Sequence, residues 1–428
     1  MFKGFSSMKI LMLGWEFPPF ISGGLGTACY GLTKAMSRMG MEITFILPKA
    51  DKTDYSSHVK MLSAEGYVNS IELSEFKNVR FKTVASPLRP YTPSGTYGIL
   101  GKKRKTNCAN FWRCKSSKPD QNYGLDIYEQ VYRYAEEVEE IASVEDFDII
   151  HTHDWMTFPA AIAAAKLSQK PLIVHVHSTE FDRSGENINQ TVYDIESHGM
   201  HEANKVIAVS NYTKNIIINR YGIPSDKVEV VYNAVECDDR SYPEVINNNS
   251  DKIVLFLGRI TMQKGPEYFI AAAKKVLEVI SNVKFIMAGD GDMMHRMIEY
   301  ASHLGIGNKI FFTRFLQGSD VDKVYEMADL YVMPSVSEPF GIAPLEALKH
   351  DVPILISKQS GVAEILRHAL KVDFWDIDQM ANKIVAVLKY PPLGKMLSEN
   401  GRAEAEKIRW EDSAAMINNI YKQVLVYA

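Results

Sequence analysis

Two glutamates, Glu338 and Glu346, stand eight positions apart in the stretch EPFGIAPLE. Carboxylates so paired can accept hydrogen bonds from hydroxyl groups at two ends of one ligand. Between them come Pro339, Phe340, Gly341 and Pro344, residues of a turn that opens a helix. The pattern predicts a helix beginning near Gly341 or Ile342. Pro344 then falls in the first turn, where its missing N–H deprives the helix of no bond. The N–H groups from Phe340 through Ile342 to Ala343 stay open to a ligand. The plainer reading is one glutamate capping a helix and a second exposed on it.

Arg259 and Lys264 lie in GRITMQKG, between a strand-like run and a helix-like one, with Pro266 near the first helical position. Two cations beside a helix N-terminus suit a diphosphate, arginine gripping oxygens in pairs and lysine adding a point charge. Eight residues of helix rise about 12 Å, comparable to a nucleotide sugar from sugar to ribose. The four residues therefore suggest a sugar diphosphate held at both ends by Glu338 and Glu346 and in the middle by Arg259 and Lys264. As single segments, two surface cations on a loop account for the same letters.

Gly23, Gly24 and Gly26 follow the first strand-like run and precede a helical one. Glycines there allow a ligand close to the backbone and to an open helix N-terminus; a tight strand–helix turn explains them as well. GDGD at 289–292 has the letters of a D-x-D metal motif. Its place after a strand favours a second glycine turn, at Gly289, near the nucleotide, with Asp290 and Asp292 as helix caps.

His151, His153, His175 and His177 form two His-x-His pairs at the ends of two strands, and Asp154 follows the first pair. Alternation along a strand puts each pair on one side. Three readings are open: a metal site, buried histidines satisfied by the backbone, or His177 and Asp154 set against the hydroxyls of a sugar. We expect no metal.

These residues need elements to hold them. Short apolar runs alternate with helical patterns: KILMLGW, EITFILP, FDIIHTH, PLIVHVH, KVIAVS and VEVVYNAV in the first half, then KIVLFLG, VKFIMAG, KIFFTRF, LYVMPS and PILISK. Such alternation implies parallel sheets covered on both faces. A chain of 428 residues exceeds one ordinary core,. The fold expected is α/β, two Rossmann-like domains facing across a cleft, with ligands off the carboxyl ends of the strands. The boundaries read as an N-terminal domain at 1–238, a linker at 239–250, a C-terminal domain at 251–408, and a final amphipathic helix at 409–428 returning to the first domain. Residues 101–118 break the rhythm with seven Lys/Arg and no acid, around Phe111 and Trp112. They read as a solvated insertion or a docking patch for a polymer or partner; Cys108 and Cys114 alone make no zinc site.

A net charge of −4 argues against nucleic acid as a partner,. Four cysteines make no disulfide framework and point to a reducing compartment, so the expected location is cytoplasmic,. No apolar run approaches membrane-spanning length, and no stable membrane insertion is expected.

Taken together, GGLG (23–26), HTHDW (151–155), GRITMQKG (258–265) and EPFGIAPLE (338–346) resemble the retaining, nucleotide-sugar-dependent glycosyltransferases of GT-B fold. The chain looks closest to glycogen synthase and its bacterial and archaeal relatives. The resemblance spans most of the chain in the right order. It implies that Arg259 and Lys264 bind and stabilise the departing diphosphate. Glu338 contacts the transferred sugar, with N–H groups from Phe340, Gly341 and Ile342, and Glu346 holds the ribose. Gly23 and Gly24 approach the phosphate from the opposite domain, and Gly289 lies near the nucleotide. His177 matches the active-site histidine near the sugar 6-hydroxyl; Asp154 matches the acid on the acceptor side. Three positions depart from bacterial glycogen synthases: Ile21 where lysine is usual, Met156 where histidine is usual, and Glu346 where tyrosine is frequent. All three match the wider retaining family.

The function expected is transfer of a hexose, glucose first, from ADP-glucose or UDP-glucose to a glucan or other carbohydrate acceptor, with no metal required. The rivals are mannosyl or sucrose-type transfer to another glycan, lipid or small acceptor, a metallohydrolase built on the histidines, and a non-catalytic glucan-binding protein using the basic loop.

Overall fold

Among the described residues, every strand of both halves runs parallel to its sheet neighbours. A computed structural model describes residues 7–17, 23–48, 78–84, 127–236 and 251–427. The first sheet contains β1 (Lys9–Leu13), β2 (Glu42–Pro48), β3 (Val79–Val84), β4 (Ile149–His153), β5 (Leu172–Val176), β6 (Lys205–Ala208) and β7 (Val228–Val230), in the order β3-β2-β1-β4-β5-β6-β7. The second contains β8 (Lys252–Leu257), β9 (Val283–Ala288), β10 (Ile310–Arg314), β11 (Leu330–Met333), β12 (Ile354–Ser357) and β13 (Leu370–Val372), in the order β10-β9-β8-β11-β12-β13. Both orders reverse direction next to their first strand, between β1 and β4 and between β8 and β11. Such switch points open a crevice at the carboxyl ends of the strands.

In the N-terminal lobe the helices are α1 (Gly24–Arg38), α2 (Ile127–Ala142), α3 (Phe158–Ser168), α4 (Glu180–Ser184), α5 (Gln190–Glu202) and α6 (Asn211–Tyr221). In the C-terminal lobe they are α7 (Pro266–Leu277), α8 (Met294–His303), α9 (Ser319–Glu326), α10 (Ala343–Lys349), α11 (Ile377–Lys389) and α12 (Pro391–Ala405), followed by α13 (Trp410–Tyr427). The central strands are buried on both faces, as in Ile149–His153 and Leu172–Val176, which is why they read as unbroken apolar runs. None of these helices is long and apolar enough to cross a membrane.

α13 leaves the second lobe and packs on α1 of the first. Its buried residues Trp410, Ala414, Ile417, Tyr421 and Val424 recur at helical spacing,. Gly31 of α1 admits the indole: a Cβ there would lie 2.2 Å from Trp410 Nε1. The same helix delivers Tyr421 OH to His151 Nδ1.

Two strands escaped the pattern. β3 is a sheet edge of mixed burial, and β13 is an edge strand of three residues. Edge positions do not demand continuous apolar residues. The expected linker at 239–250 and basic segment at 101–118, with Ile21, lie outside the described residues.

Candidate active site

Between the two switch points lies a cavity of about 620 Å³, a size typical of sites for small ligands. From the N-terminal lobe, Gly23, Gly24, Asp154 and His177 line it. From the C-terminal lobe come Arg259, Lys264, Gly289 and Glu338, with the run Phe340, Gly341, Ile342 and, one turn on, Glu346. The structure thus brings these twelve residues to one cleft, although they come from six different segments.

Gly23 and Gly24 stand at the start of α1. Among the described residues, a Cβ on either would meet no atom within 4 Å. No packing among the described residues demands glycine there, and the space opens on the cleft. Gly289 is different. Its φ is +142°, and a Cβ would lie 1.8 Å from the Gly258 carbonyl oxygen. Its glycine lets the ends of β8 and β9 meet, which is a packing reason of its own.

The expected caps at Asp290 and Asp292 are not there. α8 begins at Met294 with Met293 as its N-cap and no side-chain cap. Asp290 Oδ1 instead accepts from the Gly291 N–H at 2.8 Å. The turn runs on to Met293, so the N-cap position falls on a methionine and on neither carboxylate.

α10 starts at Ala343 with Pro344 in its first turn, one residue past the expected start. Gly341 has φ +99°, a backbone favouring glycine,. This turn sends the chain from Glu338 into the helix. Among the described residues, the N–H groups of Phe340, Gly341 and Ile342 donate to no protein acceptor. Glu338 is 6% exposed. Its Oε2 accepts from Lys264 Nζ at 2.5 Å and from Ser335 Oγ at 3.1 Å. Glu346 Oε2 accepts from Tyr325 OH at 3.1 Å. Burial pushes the Glu346 carboxyl above its ordinary pKa, opposed by that bond.

Asp154 is the strained residue of the site. With φ 58° and ψ 167° it occupies backbone space that is nearly glycine's alone,. Its Oδ1 accepts from the N–H groups of His177, at 2.7 Å, and Ser178, at 3.3 Å. Burial nevertheless raises its pKa to about 7.

The four histidines form a ladder on one face of β4 and β5, where His153 and His175 are register partners. His151 Nε2 and His175 Nδ1 are 3.2 Å apart, and His153 Nδ1 and His177 Nε2 are 2.9 Å apart. Their rings stack, His151 on His153 and His175 on His177, with centroids 4.6 and 4.3 Å apart. Burial holds all four pKa values below the ordinary range, so the rings are neutral at pH 7. His151, His153 and His175 offer nitrogens within 4.8 Å of one another, a grouping able to take a metal ion. One fact opposes that use: two of these nitrogens, His151 Nε2 and His175 Nδ1, already face each other in a hydrogen bond at 3.2 Å. Only His177 reaches the cleft.

Sequence reasoning missed Glu16, Arg183 and Ser335. Glu16 lines the cleft just after β1, and its Oε1 accepts from Gly23 N–H at 2.9 Å, tying the glycine loop to the strand end. Arg183 also lines the cleft, its Nε donating to Glu180 at 3.1 Å and its guanidinium pairing with Glu196. A signal existed for Glu16 and Arg183: both follow a strand end at the crevice, Glu16 in GWEF and Arg183 in STEFDR.

The arrangement can hold an elongated anion at its middle and hydroxyl groups at its ends. Comparison with known proteins agrees. Residues 239–404 match the family model "Glycosyl transferases group 1" and residues 118–239 match "Glycosyltransferase Family 4". An uncharacterized glycosyltransferase of Methanocaldococcus jannaschii is 30% identical, over 97% of this chain and 98% of that protein. Glycogen synthase of Mycobacterium tuberculosis is 24% identical over 83% of this chain and 80% of its own length. Among solved structures, sucrose-phosphate synthase from Thermosynechococcus elongatus superposes with a TM-score of 0.72 at 17% identity, covering 98% of this chain and 100% of that one. Anabaena HepE, solved in complex with UDP-glucose, gives 0.69 at 19% identity, again over 98% and 100%. The chain belongs to the group 1, family 4 glycosyltransferases, retaining enzymes of GT-B fold that bind nucleotide-sugar donors.

Proposed function

We propose that this enzyme transfers a hexose, glucose first, from UDP-glucose or ADP-glucose to a hydroxyl of a glucan or related carbohydrate. The observation that carries the reading is the meeting of Arg259, Lys264 and Glu338 with Gly24 and His177 around one cavity. As the glycosidic bond breaks, positive charge grows on the sugar ring and negative charge on the departing diphosphate. Arg259, Lys264 and the open N–H groups before α10 stabilise that diphosphate. Glu338 and His177 accept and donate hydrogen bonds at the sugar. Glu346 holds the ribose, steadied by Tyr325. The acceptor hydroxyl enters from the Asp154 side, on the face the diphosphate leaves, and gives its proton to the leaving phosphate oxygen. The new bond then forms with the anomeric configuration kept.

Glucose and a glucan acceptor are favoured by the relation to glycogen synthase and, for the donor, by the UDP-glucose complex of HepE. A cytoplasmic setting is part of the proposal; the buried free thiol of Cys29 fits a reducing compartment. A second reading, hexosyl transfer to a different acceptor, draws on Met156. This apolar residue lines the cleft beside Asp154, where bacterial glycogen synthases carry histidine.

The test is product analysis with UDP-glucose, ADP-glucose and GDP-mannose, each offered to glycogen and to maltooligosaccharides. Elongated α-linked glucan from one of the glucose donors is expected. Turnover of GDP-mannose alone, or donor hydrolysis without glucan elongation, overturns the glucan reading. No turnover of any donor overturns the function proposed.

A further inference from the structure

The segment around Glu338 is held from two sides. Glu338 itself is fixed by its own lobe: its N–H donates to Gln359 O and its carbonyl accepts from Gly361 N–H, both at 3.0 Å. These bonds make a single parallel bridge with Ser360. In such an extended segment successive residues face opposite ways. The residues on either side of Glu338 therefore turn to the other lobe.

Ser337 Oγ donates to Asp182 Oδ1 at 2.5 Å and lies 3.0 Å from Tyr212 OH. The Pro339 carbonyl accepts from Ser210 Oγ at 2.5 Å and from Thr213 Oγ1 at 3.3 Å. All four partners belong to the N-terminal lobe, three of them to the start of α6. That helix end is anchored back to the C-terminal lobe: the Glu364 carboxylate accepts from the N–H groups of Asn211, at 3.0 Å, and Tyr212, at 2.6 Å. An acid at a helix N-terminus suits its open donors and its dipole. The junction has no slack, since a Cβ on Gly361 would lie 2.3 Å from Pro339 O and 2.5 Å from Ser210 Cβ.

Asp182 is 1% exposed and divides its two oxygens between lobes. Oδ2 serves its own α4, accepting from Thr179 N–H at 2.7 Å and Thr179 Oγ1 at 2.8 Å. Oδ1 serves Ser337 of the other lobe.

We propose that Asp182 and Ser210 are positioning residues for Glu338: the N-terminal lobe grips the two neighbours of this glutamate and so steadies its carboxylate in the cleft. The catalytic part of this inference rests on the function proposed above, but the grip itself is measurable without a substrate.

Two full-length variants test it. Ser210→Asp keeps a good N-cap for α6 but has no hydrogen to give Pro339 O. Ser337→Ala removes one hydroxyl and leaves the α4 cap intact. Without ligand, hydrogen exchange in peptides covering 335–342 is expected to quicken about 10-fold in both, while peptides covering 211–221 exchange as in the wild type. With UDP-glucose as the probe, kcat should fall about 10-fold with KM within about 3-fold, the mark of lost positioning. Unchanged exchange at 335–342 overturns the inference, and so does a loss confined to KM. If the wild type turns over no donor, the function proposed fails, and the exchange result still decides the grip.

Discussion

Lys264 Nζ lies 2.5 Å from Glu338 Oε2, with both side chains largely covered. The pair joins the turn before α7 to the turn before α10, so the cation proposed to meet a diphosphate and the carboxylate proposed to meet a sugar hold each other. Removing one charge from a buried pair leaves the other uncompensated, at about 3–5 kcal/mol. Lys264→Ala is therefore expected to lower stability by roughly that amount and turnover by about 100-fold or more. Lys264→Ala/Glu338→Gln should recover most of the stability and none of the activity. Thermal unfolding and donor turnover, measured on the two singles and the double, separate the effects. Wild-type turnover in Lys264→Ala would sink the role given to this lysine.

Asp154 titrates near neutrality because it is buried. Its unfolded pKa is about 3.9, so between about pH 4 and 7 the folded state holds a proton that the unfolded state has lost. The stability this contributes is full below about pH 4. It declines by at most about 1.4 kcal/mol per unit as pH rises toward 7, then levels. Asp154→Asn has no such proton. The stability of the wild type relative to Asp154→Asn should thus fall from pH 5 to 7 and stay flat from 7 to 9. Denaturant unfolding at each pH measures it. A difference that does not change with pH would show that the carboxylate is ionised throughout.

Much of this site was legible because its residues follow strands that must be buried on both faces. Arg259, Lys264, Glu338 and Glu346 could be placed at crevice ends from the apolar runs before them, and α13 from its helical spacing. What was not legible is what depends on two distant segments meeting. Asp182 and Ser337 are separated by 155 residues, and neither STEFDR nor SVSEPF hints at the other. Gly289 was read as a glycine turn near the nucleotide; it lines the cleft, and nothing in the letters around it hinted that the Gly258 carbonyl packs against it as well. β3 and β13 went unseen because edge strands are exposed on one side.

The histidine ladder bears on metal dependence. If the four rings act as neutral, mutually bonded packing, the enzyme should keep its full rate in excess EDTA, and the purified protein should carry far less than one metal ion per chain by elemental analysis. His151→Phe should then lower stability, since Tyr421 OH and His175 Nδ1 both lose a partner, by about 1–3 kcal/mol. Its kcat, measured well below the melting temperature, should stay within about 3-fold of the wild type because His151 does not reach the cleft. Stoichiometric zinc, lost together with activity in chelator, would overturn this account and return the trio to the role of ligands.

The return of α13 to the first lobe predicts a coupling that can be measured at Gly31. A side chain there must displace the Trp410 indole, because its Cβ would sit 2.2 Å from Nε1. Overpacking of this kind costs about 1–3 kcal/mol, while removing a buried tryptophan costs about 3–5 kcal/mol. Gly31→Ala and Trp410→Ala should each lower the melting temperature. The double variant should be no less stable than Trp410→Ala alone, because the added methyl then points into the space the indole has left. Additive losses would mean that α13 is held mainly by other contacts, such as Ser413 Oγ to Tyr232 O at 2.7 Å, and that the indole is not what fastens the C-terminal helix to the first lobe.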